Sequence, residues 1–138
     1  MVFVPMACEI YFRILKSGCK VEKLQLETKE RFDACLTLYM IIAWRILYLT
    51  MLARAYPSAS CEIIFTEEEW KVAYMMKQRK KPPKQPITLA MMVNLIGQLG
   101  GHLNRKHDNE PGPTVLWLGL QRLRDFIFAQ QVYNQIKE

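Results

Sequence analysis

The sequence predicts an all-α fold, and three observations carry that prediction. Apolar residues recur at three- and four-residue intervals in separate stretches of the chain. Thr28, Thr66, Thr88 and Thr114 each stand just before such a stretch, where a side-chain oxygen can accept from the first free backbone N–H groups of a helix. No alternation of apolar and polar residues extends beyond about four positions, so only residues 61–65 allow even a short extended piece.

Taken in order, residues 6–16 form a short helix that turns Ile10 and Ile14 inward and Glu9, Arg13 and Lys16 outward, with Gly18 as a left-handed cap. Residues 20–27 are too brief to classify. Thr28 caps a long helix to about Ala55, since nothing between Lys29 and Arg54 breaks it and Pro57 follows. This is the most apolar stretch, interrupted between Leu36 and Leu52 only by Thr37, Arg45 and Thr50, and it reads as a helix buried at the centre of a bundle.

A third helix starts at Glu67. Thr66 and Glu69 make a capping box there, and Phe65 and Trp70 close a hydrophobic staple around it. It ends where residues 77–86 turn basic and proline-rich, a composition no helix can continue through. Leu89, Met92, Val93, Ile96 and Leu99 then repeat behind Thr88 until Gly100 and Gly101. After a polar loop at 104–113, Thr114 caps a last helix whose face is Leu116, Leu120, Leu123 and Ile127.

A chain of 138 residues with 51% hydrophobic and 23% charged residues is one globular unit, which excludes disordered and low-complexity classes. Its net charge of +6 favours an anionic partner only weakly. Cys8, Cys19, Cys35 and Cys61 have neither metal-ligand spacing nor a neighbouring histidine, and read as buried free thiols in a reducing cytoplasm. The opening residues lack the cationic start and cleavage site of a signal peptide. His102 and His107, five apart in a polar loop without cysteine, suggest no metal site.

Glu9, Arg13 and Lys16 share one helical face. Taken by itself, that arrangement reads as a solvated surface with an i, i+4 ion pair. Residues 9–26 resemble the C-terminal signature of cut-and-paste DDE transposases of the IS-four type, which include the Tn-five transposase. That signature is Tyr, two residues, Arg, three residues, Glu, six residues, Lys. Glu9 and Lys16 have the required separation, and the resemblance continues through Ala43, Trp44 and Arg45, residues 89–101, and Trp117 to Gly119. It departs at the front, where Val2 and Pro5 occupy the Tyr and Arg positions.

The resemblance implies that residues 1–27 are a remnant of the last helix of an otherwise missing RNase H-like catalytic domain. Residues 28–138 would be a helical dimerisation domain with a basic loop at 77–86. Glu9 would be the third catalytic and magnesium-binding carboxylate. One carboxylate cannot hold two Mg²⁺ ions, so the chain is expected to bind none by itself and to be no enzyme. Arg13 and Lys16 would touch the phosphate backbone of transposon-end DNA, weakly with two contacts alone.

Leu116, Trp117, Leu120, Leu123 and Ile127 would pair the chain with a second copy or with full-length transposase. From the residues alone, this face reads first as closing the chain's own core, since a helix this apolar normally does so, and Gly119 admits close backbone approach in either case. The basic loop suits either a phosphate contact or solvent. The expected function is that of a truncated transposase that dimerises without cutting DNA and has no membrane contact. The alternatives are a small membrane protein anchored by residues 36–52, in which Arg45 would be costly, and a competent nuclease, which the absent aspartates disfavour.

Overall fold

The structure, a computed structural model, describes residues 3–138, with side chains from Cys8 onward. Met1 and Val2, and with Val2 the expectation attached to it, lie outside the described residues. Five α-helices follow one another: α1 (Phe3–Arg13), α2 (Lys29–Ala55), α3 (Glu67–Gln78), α4 (Leu89–Leu99) and α5 (Pro113–Lys137). The described residues form no strand, only an isolated antiparallel bridge between Ser60 and Thr88. Cys61–Ile63, where an extended piece was allowed, is a 3-10 turn.

Local chemistry sets most boundaries. Thr28, Thr66 and Thr88 accept from Arg31, Glu69 and Met91 backbone N–H groups, each at 3.3 Å. Glu69 Oε2 accepts from the Thr66 N–H at 2.8 Å, which completes the capping box. Phe65 and Trp70 are both buried beside it, and Trp70 Nε1 donates to Glu62 Oε1 at 3.1 Å. The last helix begins differently from expectation. Gly112 is its N-cap and Pro113 its first residue, because proline's fixed φ and missing N–H suit that position. The Thr114 hydroxyl instead donates to the Ser17 carbonyl at 3.3 Å.

The end of α1 also departs from the sequence reading. The chain continues from Arg13 into a π-helical turn, Ile14–Gly18, closed by a 3.0 Å bond from the Cys19 N–H to the Ile14 carbonyl. Gly18 is not the left-handed residue; Lys20 is, at φ 54°. Gly18 is needed for proximity, since a Cβ there would lie 3.0 Å from Pro113 Cβ. The wide turn directs Ile14 and Leu15 inward together, and both are buried. α1 rests on α2, with Tyr11 Oη donating to the Met40 carbonyl at 2.9 Å, and the π-helical turn after it packs on both α2 and α5.

The centre of the molecule is α4, not α2. Seven of its eleven residues are buried, among them Leu89, Met92, Leu95 and Ile96, and α2, α3 and α5 surround it. Full burial of a side chain of this size contributes about 1.5–3 kcal/mol, which makes α4 the principal source of cohesion. The α4–α5 crossing is close because Gly100 faces Val115 and Gly119 faces Ile96, backbone to backbone. Arg122 donates to the Leu99 carbonyl at 2.6 Å and so satisfies the end of α4. From α2, Ala43, Ile46 and Leu49 are buried in the core, and Tyr39, Ile42, Leu47 and Leu52 pack partly buried against it.

Candidate interaction surface

Glu9 and Arg13 are exposed on α1, as the sequence predicts. Lys16, also exposed, lies in the π-helical turn that follows α1. The acid it meets is Glu22, 3.7 Å away, in a pair whose side chains are 65% and 72% exposed. Such a pair is worth at most about 1 kcal/mol. Among the described residues no three His, Cys, Asp or Glu side chains converge on a point where a metal ion could sit, so the residues present do not fit a two-magnesium centre around Glu9.

The five residues of the α5 face divide into two groups. Leu116 and Leu123 are buried in the chain's own core, and Gly119 is spent on the contact with α4. Trp117, Leu120 and Ile127 are half-buried and line a groove of about 560 Å³ between α2, α5 and the start of α3. Ile41, Ile42, Phe128 and, at the floor, the buried Leu123 complete its apolar lining, with Phe128 67% exposed.

Charged groups rim this groove. Arg45 Nη2 lies 3.7 Å from Glu69 Oε1, linking α2 to α3, and Gln131 Nε2 donates to Glu68 at 3.3 Å, linking α5 to α3. Arg124 lines the same edge. The rim thus carries both signs of charge, which a two-fold interface needs if each copy is to present the same patch to the other.

The apolar lining continues out of the groove along α2. Leu38, Ile41, Trp44, Tyr48 and Met51 form one exposed stripe, and the Trp44 and Tyr48 rings stack with centroids 5.1 Å apart and planes 6° from parallel. The most apolar 18-residue window of α2 has a mean hydropathy of 1.7, yet only 17% of it is buried in the fold. Sequence reasoning missed this surface. The signal was present as the 3-4-3 spacing of positions 41, 44, 48 and 51, but it was hidden because the opposite side of α2 is also apolar.

Of the four thiols expected to be buried, Cys19 and Cys61 are, whereas Cys35 on α2 is partly covered and Cys8 is exposed. Burial raises both the Cys19 and the Cys61 thiol, Cys61 to about 11 with a further push from Glu62. Desolvation, then Cys19, raises the Tyr11 phenol. Neither cysteine is poised as a nucleophile, because a nucleophilic cysteine needs a lowered pKa.

A search among curated proteins found no match. The family profile described as "Transposase Tn5 dimerisation domain" matches residues 41–136, more than two thirds of the chain. The match spans four of the five α2 stripe residues, the whole groove, α3, α4 and all but the last residue of α5. The chain therefore belongs to the Tn5 transposase dimerisation-domain family.

Proposed function

We propose that this chain is a pairing module that does not cut DNA by itself. It joins a second copy, or the equivalent domain of a full-length transposase, through the surface formed by the α2 stripe and the α2–α5 groove. A mixed pair would hold only one complete catalytic unit, so the chain would act as a dominant-negative partner. The observation that carries this reading is the exposure of α2, whose stripe of Leu38, Ile41, Trp44, Tyr48 and Met51 is left uncovered by the fold. Large contiguous apolar surface of this kind marks an interaction site. Trp117, Leu120 and Ile127 extend it, while Leu116 and Leu123 support it from within.

The Glu9 region supports a subordinate reading. In a chain carrying the missing aspartates, Glu9 would contribute the third carboxylate, with Arg13 and Lys16 toward the phosphate backbone of transposon-end DNA. Here Glu9 is exposed on α1, and in this reading it takes part in no hydrolytic step.

Light scattering after size-exclusion chromatography tests pairing directly. The parent chain is expected as a dimer at micromolar concentration and Ile41→Glu as a folded monomer, with Phe128→Glu as a second, independent disruption. A parent chain that stays monomeric at every concentration overturns the reading, as does recovery of the parent only in membranes after carbonate extraction. Co-expression with the matching transposase should lower transposition frequency, and an unchanged frequency removes the dominant-negative role.

A further inference from the structure

The pairing surface leaves one strongly charged feature without a role. Lys77, Arg79, Lys80, Lys81 and Lys84 are five cations within eight residues, with no acid among them. The whole chain has 19 basic and 13 acidic residues; without these five the balance is 14 against 13, or +1. Nearly all of the net charge is therefore concentrated in one strap. All five side chains are exposed, and the ion pairs among the described residues engage Lys16, Arg31, Arg45, Arg54 and Lys71 instead.

The strap is held at both ends. Arg79 terminates α3 in a left-handed conformation at φ 52°, its N–H donating to the Met75 carbonyl at 3.0 Å. At the far end Ile87 is buried, and its carbonyl accepts from the Cys61 N–H at 3.0 Å. Pro82, Pro83 and Pro86 exclude a helix between these anchors and restrict the backbone. A prefixed backbone lowers the ordering cost of binding. The favourable interaction of Lys77 with the end of α3 explains that residue alone, not the four that follow.

The strap's composition selects among polyanions. Residues 77–86 are Lys, Gln, Arg and Pro only, with no aromatic ring on which an unpaired base can stack. Duplex phosphate requires no such ring, only closely spaced cations against about one negative charge per 1.7 Å of axis. We propose that the strap at 77–84 is a sequence-independent contact for the phosphate backbone of duplex DNA. This site is separate from Arg13 and Lys16 and shares no residue with the pairing surface, so it stands whether or not the chain pairs.

Fluorescence anisotropy of the purified chain on a labelled mixed-sequence duplex, repeated over a salt series, tests it. Five phosphate contacts give a slope of log K against log salt of about −4.5, or roughly a 500-fold loss of affinity between about 50 and 200 mM salt. Lys77→Gln, Arg79→Gln, Lys80→Gln, Lys81→Gln and Lys84→Gln combined should flatten the slope by about 4.5 while leaving the light-scattering mass unchanged. Lys80→Arg with Lys81→Arg should keep the parent slope. The proposal is overturned if the combined Gln variant keeps the parent slope, if oligo-dT binds as tightly as duplex, or if the chain binds phosphatidylserine vesicles and not duplex.

Discussion

Replacing Gly119 with alanine separates two effects of opposite sign. An added Cβ would stand 1.9 Å from the Ile96 carbonyl oxygen and 2.8 Å from its carbon. Both obstacles are backbone, so α4 and α5 must part by more than about 1 Å, a gap that forfeits a quarter to half of each contact's attraction along the crossing. Overpacking of this severity costs about 3 kcal/mol. Alanine's higher helix propensity returns about 1 kcal/mol inside α5. The net expectation is destabilisation by about 2 kcal/mol, seen as a melting point lower by roughly 5–10 °C.

Urea titration followed by circular dichroism, at one fixed protein concentration so that pairing does not confound the comparison, measures it. Gly112→Ala is the control. Nothing lies within 4 Å of its added Cβ, and it should cost at most about 1 kcal/mol through a poorer cap. If Gly119→Ala is as stable as the parent or more so, helix propensity has won and the close α4–α5 crossing is refuted.

Two further perturbations address the cap of α3 and the buried thiols. Thr66→Ala removes the acceptor for the Glu69 N–H and should destabilise the fold by about 1 kcal/mol in the same urea assay; no change would mean that the capping box is redundant with the Phe65–Trp70 staple. Cys61 titrates at about 11 when folded, above its ordinary 9.0, so the folded state keeps a proton that the unfolded chain loses. Its contribution is fully present below pH 9 and is lost as pH rises toward 11. Melting points should therefore fall less steeply over that range in Cys61→Ala than in the parent, and parallel profiles would contradict the assignment.

What was legible in the sequence was local chemistry. Thr28, Thr66 and Thr88 carry their own helix starts, because a cap needs only a side-chain oxygen and the N–H groups two or three residues on. Where the outcome depended on partners distant in sequence, the reading failed. Gly18 looked like a cap but serves a contact with Pro113, and Thr114 looked like a cap but bonds to Ser17. The apolar content of α2 pointed to the centre of the bundle. Composition counts apolar residues without saying which are covered, and the fold gives the centre to the shorter α4. For the same reason half of the α5 face was correctly marked as apolar but could not be divided, in advance, between core and groove.

The bond joining Ser17 to Thr114 spans 97 residues, and Gly18 packs on Pro113 beside it. On a ribosome adding about 5–20 residues per second, the first partner waits roughly 5–20 s for the second. During that interval the apolar side of α2 is already made, while α4 and α5, which cover its inner face, are not. The seam between the chain's beginning and its last helix is thus a late event in biogenesis. Nascent chains of this protein pass through a window in which chaperone engagement competes with premature association, and slowing translation should lengthen that window.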